Sequence, residues 1–141
     1  MSDDFPVTIY HSPDCGTSRN VVAMVRAAGY EPAIVEYLKV GWDRMLLEAI
    51  VADIPATPRE LLREKATSAA QLDLLKPGVP DEEIIAAMIA YPILVNRPIV
   101  ATPLGVKLCR PSELVLELLE RKPTAFTKEN GEVLIPGPAK G

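Results

Sequence analysis

Apolar and polar positions alternate across Val7-Thr8-Ile9-Tyr10, a run rich in β-branched and aromatic residues, and this period of two predicts a strand. The period then lengthens. Val21, Val22, Val25 and Ala28 recur on one side of a helix running from about Thr17 to Ala28, Arg26 lies on the other, and Gly29 is a natural residue to end it. Ala33-Ile34-Val35-Glu36-Tyr37 returns to strand character. A strand, a helix and a strand in this order form a crossover, so the two strands should run parallel.

The middle of the chain reads as helical. Asp43 caps a helix through about Asp53, with Met45, Leu46, Leu47, Ile50 and Val51 as its apolar side. Thr57-Pro58-Arg59-Glu60 has the form of a capping box with proline at the first helical position, opening a short helix over Arg59-Glu60-Leu61-Leu62-Arg63. Ser68 to Leu75 adds a turn or two of helix. Asp81 to Ala90 is a further helix, with acidic residues in its first turn and Ile84, Ile85, Met88 and Ile89 inside. Strand character resumes at Ile99-Val100-Ala101-Thr102. Pro103-Leu104-Gly105 is a turn, and Val106-Lys107-Leu108-Cys109 returns, which makes a β-hairpin. Pro111 opens a last helix through Leu119, with Leu114, Val115, Leu118 and Leu119 apolar.

The order β-α-β, helices, β-β-α is the thioredoxin layout: an α/β fold with a mixed four-stranded sheet, flanking helices and, here, a helical block inserted at about 42–92. The 141 residues fit a single domain over 1–141, with a loose C-terminal tail from about 121 to 141. In that layout an X-Pro bond before the third strand is commonly cis and abuts the active cysteine, a role for which Arg97-Pro98 is placed.

Composition narrows the functional classes. Hydrophobic residues make up 48% of the chain, enough for a core, and the net charge is −4 with no block of lysine and arginine, which argues against nucleic acid as a partner. No apolar run approaches the roughly 18–20 residues of a membrane span. The acidic start, Met1-Ser2-Asp3-Asp4, is unlike a signal peptide, so a cytoplasmic location is expected. Two cysteines, Cys15 and Cys109, make no disulfide framework, and a single histidine, His11, leaves no histidine–cysteine cluster for a metal.

The chemistry concentrates between the first strand and the first helix, in Tyr10-His11-Ser12-Pro13-Asp14-Cys15-Gly16-Thr17-Ser18-Arg19-Asn20. A cysteine at a helix N-terminus meets backbone N–H groups without intrahelical partners and the positive end of the helix dipole. Both favour thiolate over thiol, and the same N–H groups, at Gly16 and Thr17, can hold an oxyanion. The alternative is a small buried apolar residue of no reactivity. Arg97 precedes the hairpin and Arg110 follows it. If the turn is centred on Pro103-Leu104, facing positions sum to 207, which pairs Arg97 with Arg110; a turn at Leu104-Gly105 shifts the register by two and still lets the guanidinium groups converge. Like charges opposed across a hairpin are destabilising unless an anion lies between them, and the guanidinium fork suits a tetrahedral oxyanion. Two solvated arginines pointing apart are the other reading. Arg63 is a third candidate from the inserted helices. Ser18 could donate to the thiolate or help cap the helix, His11 could tune the cysteine from within the loop, and Cys109 reads as a core residue.

The segment Tyr10 to Asn20 closely resembles the active-site loop of the glutaredoxin-coupled, glutathione-dependent arsenate reductases. So does the block from Tyr91-Pro92-Ile93-Leu94-Val95-Asn96-Arg97-Pro98 through Thr102-Pro103-Leu104-Gly105 to Cys109-Arg110-Pro111-Ser112-Glu113. Arg59-Glu60-Leu61-Leu62-Arg63 resembles the family's inserted-helix motif and Thr124-Ala125-Phe126-Thr127-Lys128-Glu129-Asn130-Gly131 its tail. The resemblance implies that Cys15 attacks arsenate, that Arg63, Arg97 and Arg110 hold the anion, and that His11 and Ser18 lower the cysteine's pKa or support the loop. It further implies glutathione as co-substrate, glutaredoxin as partner, arsenite as product, and no tightly bound cofactor. Asp14, beside the nucleophile, departs from the family pattern and would tend to raise the Cys15 pKa. A thiol-based transcription regulator of the same fold, a glutathione-dependent reductase of another substrate, and a non-catalytic oxyanion-binding module are the competing classes.

Overall fold

A computed structural model describes residues 5–64, 69 and 72–137. The chain divides into two compact units, Met1–Glu36 with Arg97–Gly141, and Tyr37–Asn96.

The first unit is built on a four-stranded mixed sheet, order β2-β1-β3-β4. Strand β1 (Thr8–Tyr10) pairs in parallel with β2 (Ala33–Val35) and antiparallel with β3 (Ile99–Thr102), which pairs antiparallel with β4 (Gly105–Leu108). This is the thioredoxin-like arrangement expected from the element order. Helix α1 (Gly16–Ala27) makes the crossover between β1 and β2. Its C-terminus closes as a Schellman motif: Gly29 at φ +97 donates to the Arg26 carbonyl and Tyr30 donates to the Val25 carbonyl. Ile9, Val21, Met24, Val25 and Val100 are fully buried between sheet and helix, and Val115, Leu118 and Leu119 close the same core.

The hairpin has the register that a turn at Pro103-Leu104 predicts. Ile99 faces Leu108 and Val100 faces Lys107, so facing numbers sum to 207. One step beyond the paired strands, the Cys109 N–H donates to the Pro98 carbonyl at 2.9 Å. Both Arg97-Pro98, as the layout predicts, and Arg110-Pro111 are cis.

Three elements of this unit differ from expectation. The helix expected from Pro111 through Leu119 is present as a 3-10 helix over Ser112–Leu118. Leu114 donates to the Pro111 carbonyl and Leu119 to that of Leu116, and the three-residue repeat lines up Ser112, Val115 and Leu118 as the buried row. The second strand ends at Val35, so Tyr37 belongs to the next element. The tail expected to be loose from residue 121 instead carries a hairpin, β5 (Phe126–Thr127) with β6 (Val133–Ile135). Gly131, at φ +94, closes its turn by donating to the Lys128 carbonyl. The tail is also fastened at its start, where the Arg121 guanidinium stacks 4.6 Å from the Tyr30 ring centroid and donates to the Gly29 carbonyl.

The second unit is helical. It comprises α2 (Tyr37–Val40), α3 (Arg44–Asp53), α4 (Pro58–Leu61) and α5 (Asp81–Ala90), followed by a 3-10 turn at Pro92–Leu94. Asp43 caps α3 by accepting from the Leu46 N–H at 3.1 Å. Of the apolar side expected for α3, Leu47 and Ile50 are buried while Met45 and Leu46 are exposed. The capping box at α4 is complete: Thr57 Oγ1 accepts from Glu60 N–H, and Glu60 Oε1 accepts from Thr57 N–H. Helix α4 stops before Arg63 because the chain turns into extended pairing. Leu62 bridges Val95, Arg63 N–H donates to the Leu94 carbonyl, and Asn96 N–H donates to that of Leu61. Helix α5 has the expected bounds and packs against α3 and α4. The helical turn expected over Ser68–Leu75 lies partly outside the described residues. Among the described residues, no helix is long and apolar enough to cross a membrane.

Ile9 sits in the central strand with no exposed surface. Ile9→Ala should cost about 2–5 kcal/mol through lost burial and a residual cavity, and Ile9→Val about 1 kcal/mol, read from urea unfolding midpoints.

Candidate active site

Cys15 occupies the N-cap of α1, in extended backbone conformation with φ −99 and ψ 120. Its N–H donates to the Ser12 carbonyl at 3.1 Å and its carbonyl accepts from Arg19 N–H at 2.9 Å, so the loop turns directly into the helix. The half-buried sulfur faces N–H groups of the first helical turn. Burial alone would raise the thiol's pKa. It is outweighed by the Ser18 backbone N–H and by hydrogen bonds from the Arg110 and Arg97 side chains, so the net shift is below the ordinary thiol value.

Register delivers those arginines. Arg110 Nη1 lies 3.5 Å from Cys15 Sγ and donates to the Arg97 carbonyl at 2.8 Å. Arg97 is only 8% exposed. With the thiolate counted, two guanidinium groups and one sulfur leave a net charge of +1 within a few ångströms. Such a charge surplus in a partly buried site attracts an anion, and a fork that already holds the sulfur can also bracket an oxyanion attached to it.

The loop beneath is held by Ser18, which is fully buried. Its hydroxyl lies 2.6 Å from His11 Nδ1 and accepts from Ser12 N–H at 3.1 Å. Burial lowers the His11 pKa, opposed by Glu36 and reinforced by Arg19 and Arg26, so the ring is neutral near pH 7. His11 Nδ1 and the Ser18 hydroxyl share a hydrogen bond whose direction is set by the imidazole tautomer. Ser18 therefore serves the sulfur through its backbone N–H, while its hydroxyl ties His11 to the loop. Asp14 is exposed, and the net shift at Cys15 is downward despite its carboxylate.

Beside the start of α1, a cleft of about 300 Å³ opens between Gly16, Thr17 and Asn20 on one side and Lys128 and Glu129 of the tail hairpin on the other. Among the described residues, no group of three or more histidine, cysteine, aspartate or glutamate side chains could hold a metal ion.

The model of the ArsC family matches residues 10–118, a span that takes in Cys15, Arg63, Arg97 and Arg110. The chain belongs to the ArsC family. It is 54% identical over 130 residues to the arsenate reductase ArsI2 of Synechocystis sp., covering 92% of this chain and 93% of that relative. It is 51% identical over 135 residues to an arsenate reductase of Rhizobium meliloti, covering 95% and 96%. Among solved structures, the arsenate reductase from Vibrio cholerae superposes with a TM-score of 0.77 at 31% identity, covering 82% of this chain and 98% of that one.

In this ArsC protein, Cys15, Gly16, Thr17, Ser18, His11, Arg97 and Arg110 all lie in the first unit, and the hydrogen bonds above bring the cysteine, the two arginines, the serine and the histidine together. Arg63 lies in the second unit, half-buried, with Nη1 donating to Asn96 Oδ1 at 3.4 Å. Cys109 is fully buried in the core, and burial pushes its thiol pKa up to about 12. Two residues that sequence reasoning passed over touch the loop: Arg19 donates to the Pro13 carbonyl at 2.7 Å and is paired with Glu129. Their separation of 110 positions left no local signal, although Arg19 and Glu129 each fall in a segment singled out for family resemblance.

The thiolate fraction of Cys15 rises with pH, and its midpoint lies below the ordinary thiol value. Iodoacetamide should therefore label Cys15 in the native protein at neutral pH faster than it labels a free thiol, and leave Cys109 unlabelled until unfolding. Arg110→Ala removes a stabilising hydrogen bond, so the alkylation midpoint should move to higher pH and the neutral-pH rate should fall.

Proposed function

We propose that this ArsC protein reduces arsenate to arsenite, with Cys15 as nucleophile and with glutathione and glutaredoxin as the reductants. The observation that carries this reading is the convergence of Arg110 and Arg97 on the Cys15 sulfur at a helix N-terminus. That arrangement supplies a thiolate near neutral pH and the positive charge to hold a tetrahedral oxyanion beside it. The names of its relatives, arsenate reductases at 45–54% identity, agree in substrate.

In the first step the Cys15 thiolate displaces an oxygen of arsenate. An S–As bond forms, an As–O bond breaks, and the oxygen leaves as water after protonation. Arg97 and Arg110 hold the remaining oxygens, with Arg63 as a third anion-binding arginine, and the Gly16 and Thr17 N–H groups supply further donors. His11 and Ser18 keep the loop in place. Glutathione displaces a second oxygen as water. A glutaredoxin thiolate then takes the glutathione sulfur as a mixed disulfide, and the electron pair of the As–S bond stays on arsenic, reducing As(V) to As(III). Hydrolysis of the remaining S–As bond releases arsenite and restores the Cys15 thiol. Glutathione is consumed as a co-substrate, so the scheme uses no tightly bound cofactor. A cytoplasmic location, where thiols are kept reduced, is part of the same proposal.

Arsenate-dependent NADPH oxidation, measured with glutathione, an active glutaredoxin and glutathione reductase, tests the scheme. Cys15→Ser should abolish turnover. Arg97→Ala removes a buried charge-assisted donor and should lower kcat/KM by about 1–3 kcal/mol, or roughly 5- to 150-fold. Full turnover in Cys15→Ser, or none in folded wild type with a verified glutaredoxin, would sink the assignment.

A further inference from the structure

The tail hairpin places two neighbouring residues, Lys128 and Glu129, on two different segments of the site. Glu129 meets Arg19 side-on: Arg19 Nε donates to Oε2 at 3.1 Å and Nη2 to Oε1 at 2.8 Å. The third edge of the same guanidinium, Nη1, donates to the Pro13 carbonyl at 2.7 Å, two residues before Cys15. The Glu129 N–H in turn donates to Asn20 Oδ1 at 3.0 Å, so backbone and side chain of the hairpin both grip the first turns of α1. On the other side Lys128 Nζ lies 3.2 Å from Glu113 Oε1, and Glu113 stands three residues after Arg110. Its side chain is only 14% exposed, unusually covered for a lysine.

We propose that Lys128 and Glu129 form a positioning clasp: Glu129 orients Arg19, Arg19 holds the Pro13 carbonyl and with it the Cys15 loop, and Lys128 holds the segment that carries Arg110. The clasp fixes the distance between the sulfur and the guanidinium that stabilises it. Neither residue touches the reacting atoms.

Stability is a poor explanation for this geometry. Arg19 and Glu129 are each 46% exposed, and exposed ion pairs contribute little to folding. What the pair supplies is orientation. A planar fork can present two donors to a carboxylate and a third to a carbonyl at fixed angles, which a lysine ammonium cannot do. Gly16 carries a second mark of the same constraint. A Cβ there would lie 3.0 Å from Glu129 Oε1, so a larger residue would shift the carboxylate by a few tenths of an ångström against Arg19. Arg19 also lies within coulombic reach of Cys15 and Asp14, so the clasp keeps a cation beside the exposed Asp14 carboxylate.

The inference rests on Cys15 as the nucleophile, and the test separates the two. The full-length protein is prepared as wild type, Glu129→Ala, Glu129→Gln, Arg19→Lys and, as control, Glu82→Gln, an exposed carboxylate of the second unit away from the clasp. The rate of Cys15 alkylation is followed against pH beside arsenate turnover and thermal unfolding. In Glu129→Ala and Arg19→Lys the loop loosens from Arg110. The alkylation midpoint should move to higher pH, the neutral-pH rate should fall about tenfold, and kcat should fall more than KM changes, the scale expected from a sub-ångström misplacement. Arg19→Lys keeps the charge, so its failure to rescue identifies orientation as the role. Glu82→Gln should match wild type. Wild-type alkylation profiles and kcat in both Glu129→Ala and Arg19→Lys would overturn the clasp. Should Glu129→Ala fail to fold, Glu129→Gln and Arg19→Lys decide in the same terms. If wild type shows no arsenate turnover, the function falls while the alkylation profiles still decide the clasp.

Discussion

Two guanidinium groups held against one sulfur are the arrangement on which the rest of this structure depends. Brought together without an anion, Arg97 and Arg110 would repel each other across the hairpin. Their approach coincides with the point where helix α1 presents its unpaired N–H groups, so the thiolate form of Cys15 is favoured where these positive groups gather. Each side is stabilised by the other. The arginines and the helix lower the thiol's pKa, and the thiolate relieves the arginines. A surplus of positive charge remains beside the sulfur.

That arrangement is set by register. Because Ile99 faces Leu108, the residues just outside the ladder are brought face to face, and Arg110 can donate to the Arg97 carbonyl. A hairpin slipped by one residue would turn every side chain to the opposite face, taking Ile99 and Val100 out of the core. The register is therefore secured by apolar burial in β3 and by the two-residue turn at Pro103-Leu104, at some distance from the sulfur. Stability in the core and chemistry at the edge of the sheet are linked through strand pairing, so the site does not depend on the arginines' own contacts to find its geometry.

Much of this was legible in the sequence because it follows short-range rules. The alternation at Val7–Tyr10 and the helical spacing of Val21, Val22 and Val25 marked the first strand and α1. Pro103-Leu104-Gly105 marked the hairpin, whose register the sequence left between turns at Pro103-Leu104 and Leu104-Gly105 and strand pairing settles as the first. What was not legible has local reasons. Helix α2 has four residues, too few to show a period, and its first residue, Tyr37, continued a strand-like run. Ser112, Val115 and Leu118 repeat every three residues, and a reading tuned to 3.6 takes them for part of an α-helix. The tail hairpin did carry a signal, Asn130-Gly131 between apolar residues, but the prolines and glycines beyond it suggested a loose end. The Arg19–Glu129 pair lies beyond any local rule, since it joins two exposed charges that only the folded hairpin brings together.

The placement of the second cysteine bears on where the electrons come from. Reducing As(V) to As(III) takes two electrons, which two thiols can supply by ending as a disulfide. One thiol is Cys15. Cys109 has no exposed surface, and a pKa of about 12 leaves a thiolate fraction at pH 7 on the order of one part in 100,000. Thiol–disulfide exchange runs through the thiolate, so Cys109 is poorly suited to resolve an adduct on Cys15 in this conformation. Drawing it out would expose a side chain packed among Val100, Val115 and Leu118 in the main core. The proposed reaction therefore takes its reducing thiols from outside, and the cleft beside the start of α1 is open space next to the sulfur's helix. In the proposed reaction, the protein accordingly supplies the nucleophile and the charge at Cys15, and thiols from outside supply the reduction.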